Sequence, residues 1–207
     1  MIHTIQTERL SIRRIRAEDW KDIQAIWVSA AKSVYAQYDW PNDLDDDSVQ
    51  IRVAGLDSLA ESDAHIFLAI SLNNRVIGYF SLNSCGEGYE LGYCFHSDFH
   101  GKGYARESLG AVLGFLRNRG VPFVEAGTAL RNTPSLRLLR SLGFELRGTE
   151  KVSFYQDAEG KDIFFDGGIF VRAWPMICES WSSKPHGFGL FLHLQLDEKQ
   201  PWKYGNL

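Results

Sequence analysis

A short glycine-containing segment ahead of a predicted helix has the residue types that bind phosphate. The segment FHSDFHGKGYARESL, residues 95–109, places Gly101 and Gly103 on either side of Lys102, and an amphipathic pattern begins at once. A helix start leaves about four N–H groups without internal partners, and the aligned peptide dipoles add roughly half a positive charge there. Glycine lets an anion approach the backbone closely. The segment therefore predicts a phosphate site, with Lys102 and Arg106 adding charge from its rim.

Two common phosphate signatures do not fit this segment. A Walker A loop requires GxxxxGK[ST], which the sequence lacks. A dinucleotide fingerprint requires GxGxxG, but Arg106 stands where the third glycine belongs, and the predicted elements do not repeat as βαβ units. The phosphate would belong to another ligand. A tight loop before an ordinary helix and a nucleotide-binding protein that uses the same helix start both remain alternatives.

The predicted strands and helices indicate a mixed sheet with helices packed on it. Strands are predicted over residues 8–16, 66–72, 75–83, 89–95 and 121–128 and in a closing hairpin around Glu159-Gly160, with Asn73-Asn74 as the turn of the first hairpin. Helices are predicted from Ala17 to about Val34, from a cap at Ser48, from Gly103 to about Arg119, and from Thr133 as N-cap with Pro134 next. The tail after Trp174 contains GFGLFLHLQL, which alternates and is consistent with an extra strand.

Composition sets limits on the class of protein. The 207 residues are 44% hydrophobic and 23% charged, which predicts one globular domain over residues 1–174 with an extension over 175–207. The net charge of −4 argues against a nucleic-acid partner, and no apolar run is long enough to cross a membrane. Three cysteines without CxxC spacing and an N-terminus unlike a signal peptide predict a cytoplasmic protein with reduced thiols.

Several motifs together resemble the GCN5-related N-acetyltransferase (GNAT) superfamily. Its loop pattern is Gln/Arg-x-x-Gly-x-Gly/Ala, and HGKGYA at 100–105 matches except that His100 stands at the first position. ELGY before the loop, Asn132-x-x-Ser135 followed by GFE, and TERLSIR near the start are similar to the RimJ/RimL-like branch, which acetylates the N-termini of ribosomal proteins. The resemblance covers residues 7–174. It implies an α/β (α+β) GNAT fold, with a mixed sheet of about seven strands, helices on both faces and a splayed cofactor cleft.

The same resemblance implies acetyl-CoA as the acetyl donor and assigns residues to it. Backbone N–H groups from Gly101 to Arg106 would hold the pyrophosphate, and a strand bulge would splay the cleft. Asn132 and Ser135 would lie near the pantetheine and the sulfur, although Asn132 can equally be a turn residue before a helix. The predicted cofactor-binding residues are Cys94, Phe95 and His96 at the strand edge, His100, Gly101, Lys102, Gly103, Tyr104, Ala105 and Arg106 in the loop, and Asn132 with Ser135.

Acetyl transfer to an amine needs a base for the amine proton and accommodation of the thiolate that leaves. Many superfamily members place a tyrosine seven residues after the motif asparagine, but that position holds Leu139, so Ser135 is the nearest substitute as a donor. Glu90, at the start of the cleft strand, is the predicted base, with Glu125 as its competitor and a solvated strand-end carboxylate as the alternative. Direct attack needs no covalent intermediate, so Cys94 is predicted to be a wall residue.

The acceptor is predicted to be an amine. YDWPNDLDDD, residues 38–47, carries five aspartates and no cation, and an acidic rim would concentrate cationic amines. Trp27, Tyr35, Tyr38 and Trp40 could form an aromatic wall, although a solvated acidic loop with core aromatics is the alternative. A peptide or protein N-terminus, a polyamine, an aminoglycoside and a small amino acid all remain open, as do a non-catalytic acetyl-CoA sensor and a homodimer.

No metal is predicted. His96 and His100 have the i, i+4 spacing that binds zinc on a helix, but they fall on a strand end and a loop, where that geometry is lost.

Overall fold

A computed structural model describes residues 4–39, 41–59 and 62–174. The strands are β1 Thr4–Gln6, β2 Ser11–Arg14, β3 His65–Leu72, β4 Arg75–Cys85, β5 Gly88–Phe95, β6 Phe123–Ala129, β7 Glu145–Gln156 and β8 Asp162–Ala173. The α-helices are α1 Trp20–Ala31, α2 Asp46–Ser58, α3 Tyr104–Asn118 and α4 Thr133–Ser141. Within the described ranges the strands form one sheet of eight in the order β1-β2-β3-β4-β5-β6-β8-β7. The predicted mixed sheet is confirmed, with one strand more than expected.

The first hairpin of the sheet forms where the sequence predicted it. Asn73 and Asn74 join β3 to β4 with φ of 50° and 66°, a left-handed conformation that asparagine tolerates better than most residues. The turn fixes the register, so that the alternating apolar residues of both strands point to the two faces of the sheet. This hairpin is the centre of the fold, since helices pack on both of its faces.

Helices cover the sheet from both sides, as predicted. On one face, α1 and α2 pack Ile23, Trp27 and Val53 against β3 and β4. On the opposite face, α3 contributes Leu109, Val112 and Leu116, and α4 contributes Leu139, to a second core. The alternation of strand residues serves both layers, because Phe67 points to the first core and Leu68 to the second. The sheet is therefore the middle of three layers.

Four local expectations were wrong. The strand predicted over 8–16 is shorter, because the Thr7 N–H donates to the Leu10 C=O at 2.9 Å in a turn and the strand β2 covers only Ser11–Arg14. The additional strand β1, Thr4–Gln6, precedes this turn. The helix after β2 ends at Ala31, leaving Val34 exposed. Asp45 caps α2, since its carboxylate accepts from the Ser48 N–H at 2.9 Å. Asn132, one residue before the predicted Thr133, caps α4.

The cleft predicted beside β5 is present but arises differently from the expected bulge. β5 pairs with β4 in an uninterrupted register from Gly88 to Phe95. Its parallel pairing with β6 consists of Tyr89 with Val124 and Glu90 with Glu125, and no later pair is made in the described chain. The two strands therefore separate after Glu90, and the opening lies entirely on the β6 side. Predictions that concern Trp40 and the tail from residue 175 onward fall outside the described residues.

Candidate active site

A cleft of about 890 Å³ begins where β5 and β6 separate. Both strands line it, together with the start of α3, the start of α4 and the segment that follows α1. Every predicted site residue except His96 and Lys102 lies on its wall. The structure thus gathers into one cavity residues that the sequence places as far apart as Glu90 and Ser135.

The loop ahead of α3 presents a continuous row of unpaired backbone donors. The first amide of this region that has a backbone acceptor is that of Glu107, which donates to Gly103 O at 3.0 Å. The six amides from Gly101 to Arg106 have no acceptor in the described part of the chain. Tyr104 and Ala105 are partly buried and the other four residues are exposed, so a ligand can reach these amides from outside the fold. This row is consequently a ready donor set for an anion at a helix N-terminus.

Two glycines give the loop its shape. Gly101 and Gly103 have φ of 72° and 83°, in the left-handed region that strains most other residues. A Cβ added at Gly101 would meet no atom within 4 Å, so the space beside this residue is open. The absence of side chains keeps the amides accessible from the cleft, which both glycines line.

The backbone of β5 offers fewer groups to the cleft than predicted. The His96 N–H donates to Ile77 O of β4 at 3.0 Å, so the backbone of His96 points away from the cleft. Since backbone direction alternates along a strand, that of Phe95 faces the cleft and that of Cys94 faces β4. The Phe95 carbonyl lies 2.8 Å from His100 Nε2, which places the loop's first residue against the strand edge. Of the three predicted edge residues, Phe95 has the position that suits pairing with an extended ligand.

His100 and His96 both have local hydrogen-bonding roles. His100 is bound to the Phe95 carbonyl, and His96 Nδ1 accepts from the Asp98 N–H at 3.2 Å. No cluster of three or more metal-binding side chains occurs among the residues that the structure describes.

Ser135 has a partner that the sequence analysis missed. The Tyr93 hydroxyl lies 2.7 Å from Ser135 Oγ, and both residues line the cleft. Burial raises the pKa of Tyr93 to about 12, so its phenol stays protonated at neutral pH. Alternation in YELGYCF, which puts Tyr89, Leu91 and Tyr93 on one face of β5, was the available signal. The pair provides a hydroxyl network at the position where a proton donor was sought.

Asn132 and Leu139, the other two positions considered with Ser135 in the family motif, have structural roles in α4. Asn132 Oδ1 accepts from the Ser135 N–H at 3.3 Å, so the asparagine caps α4, and it also lines the cleft. Leu139, at the position where a tyrosine was sought, is fully buried in the core between α3, α4 and the sheet. A phenol reaches Ser135 from β5 instead of from α4.

Glu90 lies at the closed end of the cleft, where strand pairing stops. Burial, together with the negative charges of Glu125 and Glu150, raises its pKa from 4.5 to about 7. Glu125 does not line the cleft, and its Oε1 accepts a hydrogen bond from Cys85 Sγ at 3.1 Å. Between the two predicted candidates, Glu90 has the accessible position and a pKa suited to proton exchange near neutral pH.

Glu150 is a third carboxylate that sequence reasoning did not select. It pairs in register with Gly167 of β8, and burial raises its pKa. One of its oxygens is buried without a hydrogen-bond partner in the described structure. Its negative charge contributes to the raised pKa of Glu90, which places it in the electrostatic surroundings of the cleft.

Cys94 has the properties of a wall residue. Its side chain packs with the core beneath α1 and α2 and lines the cleft. Burial raises the pKa of its thiol to about 12, so the thiolate that a nucleophile requires is scarce at neutral pH. Among the described cysteines both are free, and Cys85 likewise has a pKa raised to about 12, chiefly by burial.

The acidic segment after α1 is less available to a ligand than its sequence indicates. Asp45 caps α2, and Asp46 accepts from Gln24 at 2.8 Å. The Arg52 side chain donates to Asn42 at 2.7 Å. It also lies close enough to Asp39 and Asp43 for both carboxylates to interact electrostatically with its guanidinium. Of the five aspartates, Asp39 lines the cleft.

Aromatic side chains close the cleft on the side of α1. Tyr155 of β7 donates to the Ala36 carbonyl at 3.2 Å, and Tyr38 packs edge-on against Phe165 of β8 with ring centroids 5.2 Å apart. The segment after α1 thus contacts the β7–β8 hairpin across the cleft. Tyr35 and Tyr38 line the cavity, in agreement with the predicted aromatic wall. Trp27 borders the cavity too, but it is 2% exposed and packs in the core, which is the alternative given for it.

Comparison with known proteins agrees with this geometry. The family model described as an acetyltransferase (GNAT) domain matches residues 9–145. The chain belongs to the GNAT acetyltransferase family. It is 25% identical over 166 residues to a Bacillus licheniformis protein described as the uncharacterized N-acetyltransferase p20, covering 78% of this chain and 92% of that one.

Solved structures share the GNAT fold. A ribosomal-protein-S5-alanine acetyltransferase from Vibrio fischeri is similar with a TM-score of 0.69 at 17% identity, over 82% of this chain and 96% of that one. A ribosomal L7/L12 α-N-protein acetyltransferase in complex with coenzyme A is similar with a TM-score of 0.69 at 18% identity, over 83% and 98%. No helix in the described ranges is long and apolar enough to cross a membrane.

Acetyl-CoA is the acetyl donor of this GNAT acetyltransferase, and the site is suited to it. Six unpaired amides at a helix start can donate hydrogen bonds to an anion such as a diphosphate. The unpaired edge of β5 has room for an extended ligand arm that contains amide groups. The space beside Gly101 leaves room for the phosphates to approach the backbone.

Proposed function

We propose that the protein transfers the acetyl group of acetyl-CoA to a primary amine by direct attack, and that the amine is a peptide or protein N-terminus or a small cationic amine. The observation that supports this most strongly is the row of unpaired amides from Gly101 to Arg106 at one end of the splayed cleft, with Glu90 at the other. One end suits a diphosphate, and the other suits an amine that must lose a proton.

On the donor side, the amides of residues 101–106 bind the pyrophosphate, and Lys102 with Arg106 adds positive charge at the rim. The strand edge at Phe95 pairs with the pantetheine arm, and Asn132 with Ser135 lines the path toward the sulfur. Acetyl-CoA supplies the activated acetyl group when it is bound. The chain's contribution here is to orient that group toward the face of the sheet where Glu90 lies.

On the acceptor side, Glu90 takes the proton that the amine must lose. A pKa of about 7 leaves much of this carboxyl ionised at neutral pH, while it remains basic enough to accept a proton. Glu90 and Ser135 sit on opposite faces of the sheet, because Glu90 alternates with Leu91 and Tyr93 along β5. The base and the proposed hydrogen-bond donor thus approach the reacting centre from different sides.

The leaving sulfur is accommodated by Ser135 and Tyr93. The Ser135 hydroxyl donates a hydrogen bond to the departing thiolate, and Tyr93 in turn donates one to Ser135 Oγ, which it reaches at 2.7 Å. Both hydroxyls keep their protons, and the thiolate leaves with its negative charge or takes a proton from solvent. The high pKa of Tyr93 keeps its phenol protonated and therefore able to donate this hydrogen bond. A thiol has a pKa near 8.5, so this donation assists the reaction without being essential.

The acceptor class follows from the cleft wall near α1. Asp39 supplies a negative charge, and Tyr35 with Tyr38 supplies an aromatic surface. Of the five aspartates in this segment, Asp39 lines the cleft, and Asp45 and Asp46 make hydrogen bonds within the fold. A single cationic amine with an apolar or peptide neighbour therefore suits the wall better than a polycation. The ribosomal-protein substrates in the names of the structural relatives favour a protein N-terminus.

A thiol-release assay over matched acceptors tests the proposal. Acetyl-CoA is incubated with short peptides with free and N-acetylated N-termini, spermidine, an aminoglycoside and free amino acids, and binding of acetyl-CoA, CoA and ATP is measured by calorimetry. We expect CoA binding without ATP binding, and thiol release with free N-termini above the blocked peptides. CoA binding without release on any acceptor would instead support a sensor, and ATP binding alone would support a nucleotide-binding protein.

A further inference from the structure

The turn between β1 and β2 is joined to the phosphate loop by a dense set of polar contacts. Arg9 Nε donates to Glu107 Oε2 at 2.6 Å, and the Arg9 N–H donates to Glu107 Oε1 at 3.0 Å. Thr7 Oγ1 donates to the same Oε1 at 2.6 Å. The three residues come from segments about 100 positions apart, and they meet at the first turn of α3. The contacts tie the N-terminal hairpin to the helix whose start forms the proposed site.

Arg9 also contacts the loop itself. Its Nη1 donates to the Lys102 carbonyl at 3.0 Å, and its guanidinium lies 4.5 Å from the ring centroid of Tyr104. A Cβ added at Gly103 would lie 3.4 Å from Arg9 Nη2. The guanidinium therefore spans the loop from Lys102 to Glu107 on one side, while Gly103 and Tyr104 line the cleft.

The contact with the Lys102 carbonyl determines the direction of a neighbouring donor. The described peptide bonds are all trans, and in a trans peptide the C=O and the following N–H point in opposite directions. Holding the Lys102 C=O toward Arg9 therefore turns the Gly103 N–H away from Arg9. Gly103, the residue that follows this peptide, would otherwise allow it to rotate at little cost. Arg9 thus restricts a peptide of the loop that borders a flexible glycine.

The hydrogen bonds from Arg9 to Glu107 fix the position of a carboxylate beside the proposed phosphate site and compensate its negative charge. A carboxylate in the first turn of a helix is favoured by the same dipole that favours a bound anion, and it would repel a diphosphate nearby. Arg9 and Thr7 hold this carboxylate on their side of the helix and compensate its charge. Burial tends to raise the pKa of Glu107, but the hydrogen bonds from Thr7 and Arg9 outweigh it and lower the pKa.

We propose that Arg9 is a positioning residue for the pyrophosphate of the donor: by holding the Lys102 carbonyl and Glu107, it presets the loop amides for binding. The inference rests on the proposed donor site, and it adds to that site a residue from the opposite end of the chain. Arg9 acts through the loop and does not contact the reacting atoms. Its expected effect is therefore on the affinity for donors that contain the diphosphate.

The test compares two donors in Arg9→Lys and Arg9→Gln variants. Acetyl-CoA contains the diphosphate, and S-acetyl-N-acetylcysteamine carries the same thioester on a short arm without it. We expect the KM for acetyl-CoA and the Kd for CoA by calorimetry to rise about tenfold, with kcat/KM for the short donor unchanged. Lysine keeps the charge but lacks the planar fork, so Arg9→Lys should restore only part of the affinity. Arg147→Gln, which removes an exposed arginine paired with Glu145, is the matched control.

Each outcome separates the inference from the proposed donor site. An unchanged Kd for CoA in both Arg9 variants, with tight binding by the wild type, would overturn the inference and leave the donor site standing. An equal loss with both donors would also overturn it, because it would mark Arg9 as a residue of general stability. Failure of the wild type to bind CoA would instead remove the donor site itself. A higher backbone ¹⁵N order parameter at Gly103 in the wild type than in Arg9→Gln, measured without ligand, is the expected result that does not depend on turnover.

Discussion

The Tyr93 hydroxyl lies within hydrogen-bonding distance of Ser135 Oγ, at 2.7 Å, inside the cleft between β5 and β6. The contact joins a strand on one side of the cleft to the first turn of α4 on the other. It places a protonated phenol next to the serine of the family motif, although the helix position from which many relatives supply a tyrosine holds a buried leucine.

Removing this phenol is expected to slow the chemical step. Tyr93→Phe should lower kcat about tenfold, less than the roughly 100-fold or greater effect of losing a proton-transfer catalyst, because the thiolate is a good leaving group and the phenol supplies only a hydrogen bond through Ser135. The Kd for CoA should change little. Stopped-flow or steady-state thiol release with a saturating peptide acceptor measures this. Tyr89→Phe is the matched control, since Tyr89 shares the face of β5 but donates to the Asp63 carbonyl at 2.9 Å. Equal kcat in wild type and Tyr93→Phe would exclude the phenol from the reaction.

The pH profile is expected to report the ionisation of Glu90. Only the ionised carboxyl accepts a proton, so kcat/KM should rise with pH through about 7 in the wild type. Glu90→Gln should lower kcat by about 100-fold and abolish this ascending limb, without a matching loss of CoA affinity. Glu125→Gln provides the comparison, because Glu125 is bonded to Cys85 away from the cleft wall. A profile that keeps the same limb in Glu90→Gln would assign the base elsewhere.

The same carboxyl is expected to reduce stability above neutral pH. Folding raises the pKa of Glu90 from 4.5 to about 7, so the folded state binds its proton more tightly than the unfolded state. The stability contributed by this group is fully present below about pH 4.5 and is lost as pH rises through about 7. The free energy of unfolding of Glu90→Gln should therefore exceed that of the wild type by about 1–3 kcal/mol at pH 8, and the variant should unfold at a higher urea concentration. The difference should shrink toward pH 5.

Urea titrations of both proteins at pH 5 and pH 8 check the sign. Glu87→Gln, an exposed residue in the turn before β5, serves as the control. A stability difference that is the same at both pH values would contradict the assignment of the effect to ionisation.

Glycine at position 101 is expected to matter for binding more than for folding. Gly101→Ala introduces a Cβ into open space with φ of 72°, which strains the backbone by about 1 kcal/mol and obstructs an anion that approaches the amides. The Kd for CoA should rise at least tenfold. Gly86→Ala is the control, because Gly86 has φ of 58°, also has no atom within 4 Å, and lies outside the cleft lining. Similar CoA affinity in both variants would show that the anion does not sit against Gly101.

Local features of the fold could be predicted because they depend on residues close in sequence. Asn73-Asn74 determined a hairpin, Gly103 and Gly120 flank α3 with positive φ, and the amides ahead of that helix follow from the helix start itself. Turns, caps and helix ends are decided by hydrogen bonds within about four residues. The family resemblance of the loop then indicated what such a start would bind.

Tertiary structure decided which distant residues share the cleft. Tyr93 meets Ser135 across 42 positions, and Arg9 meets Glu107 across 98. These contacts depend on strand order, register and helix packing, none of which is determined by residues within one turn or strand. The separation of β5 from β6 after Glu90 also depends on tertiary structure. The sequence of each strand predicts an uninterrupted strand, and the cleft opens only because the two strands diverge in direction.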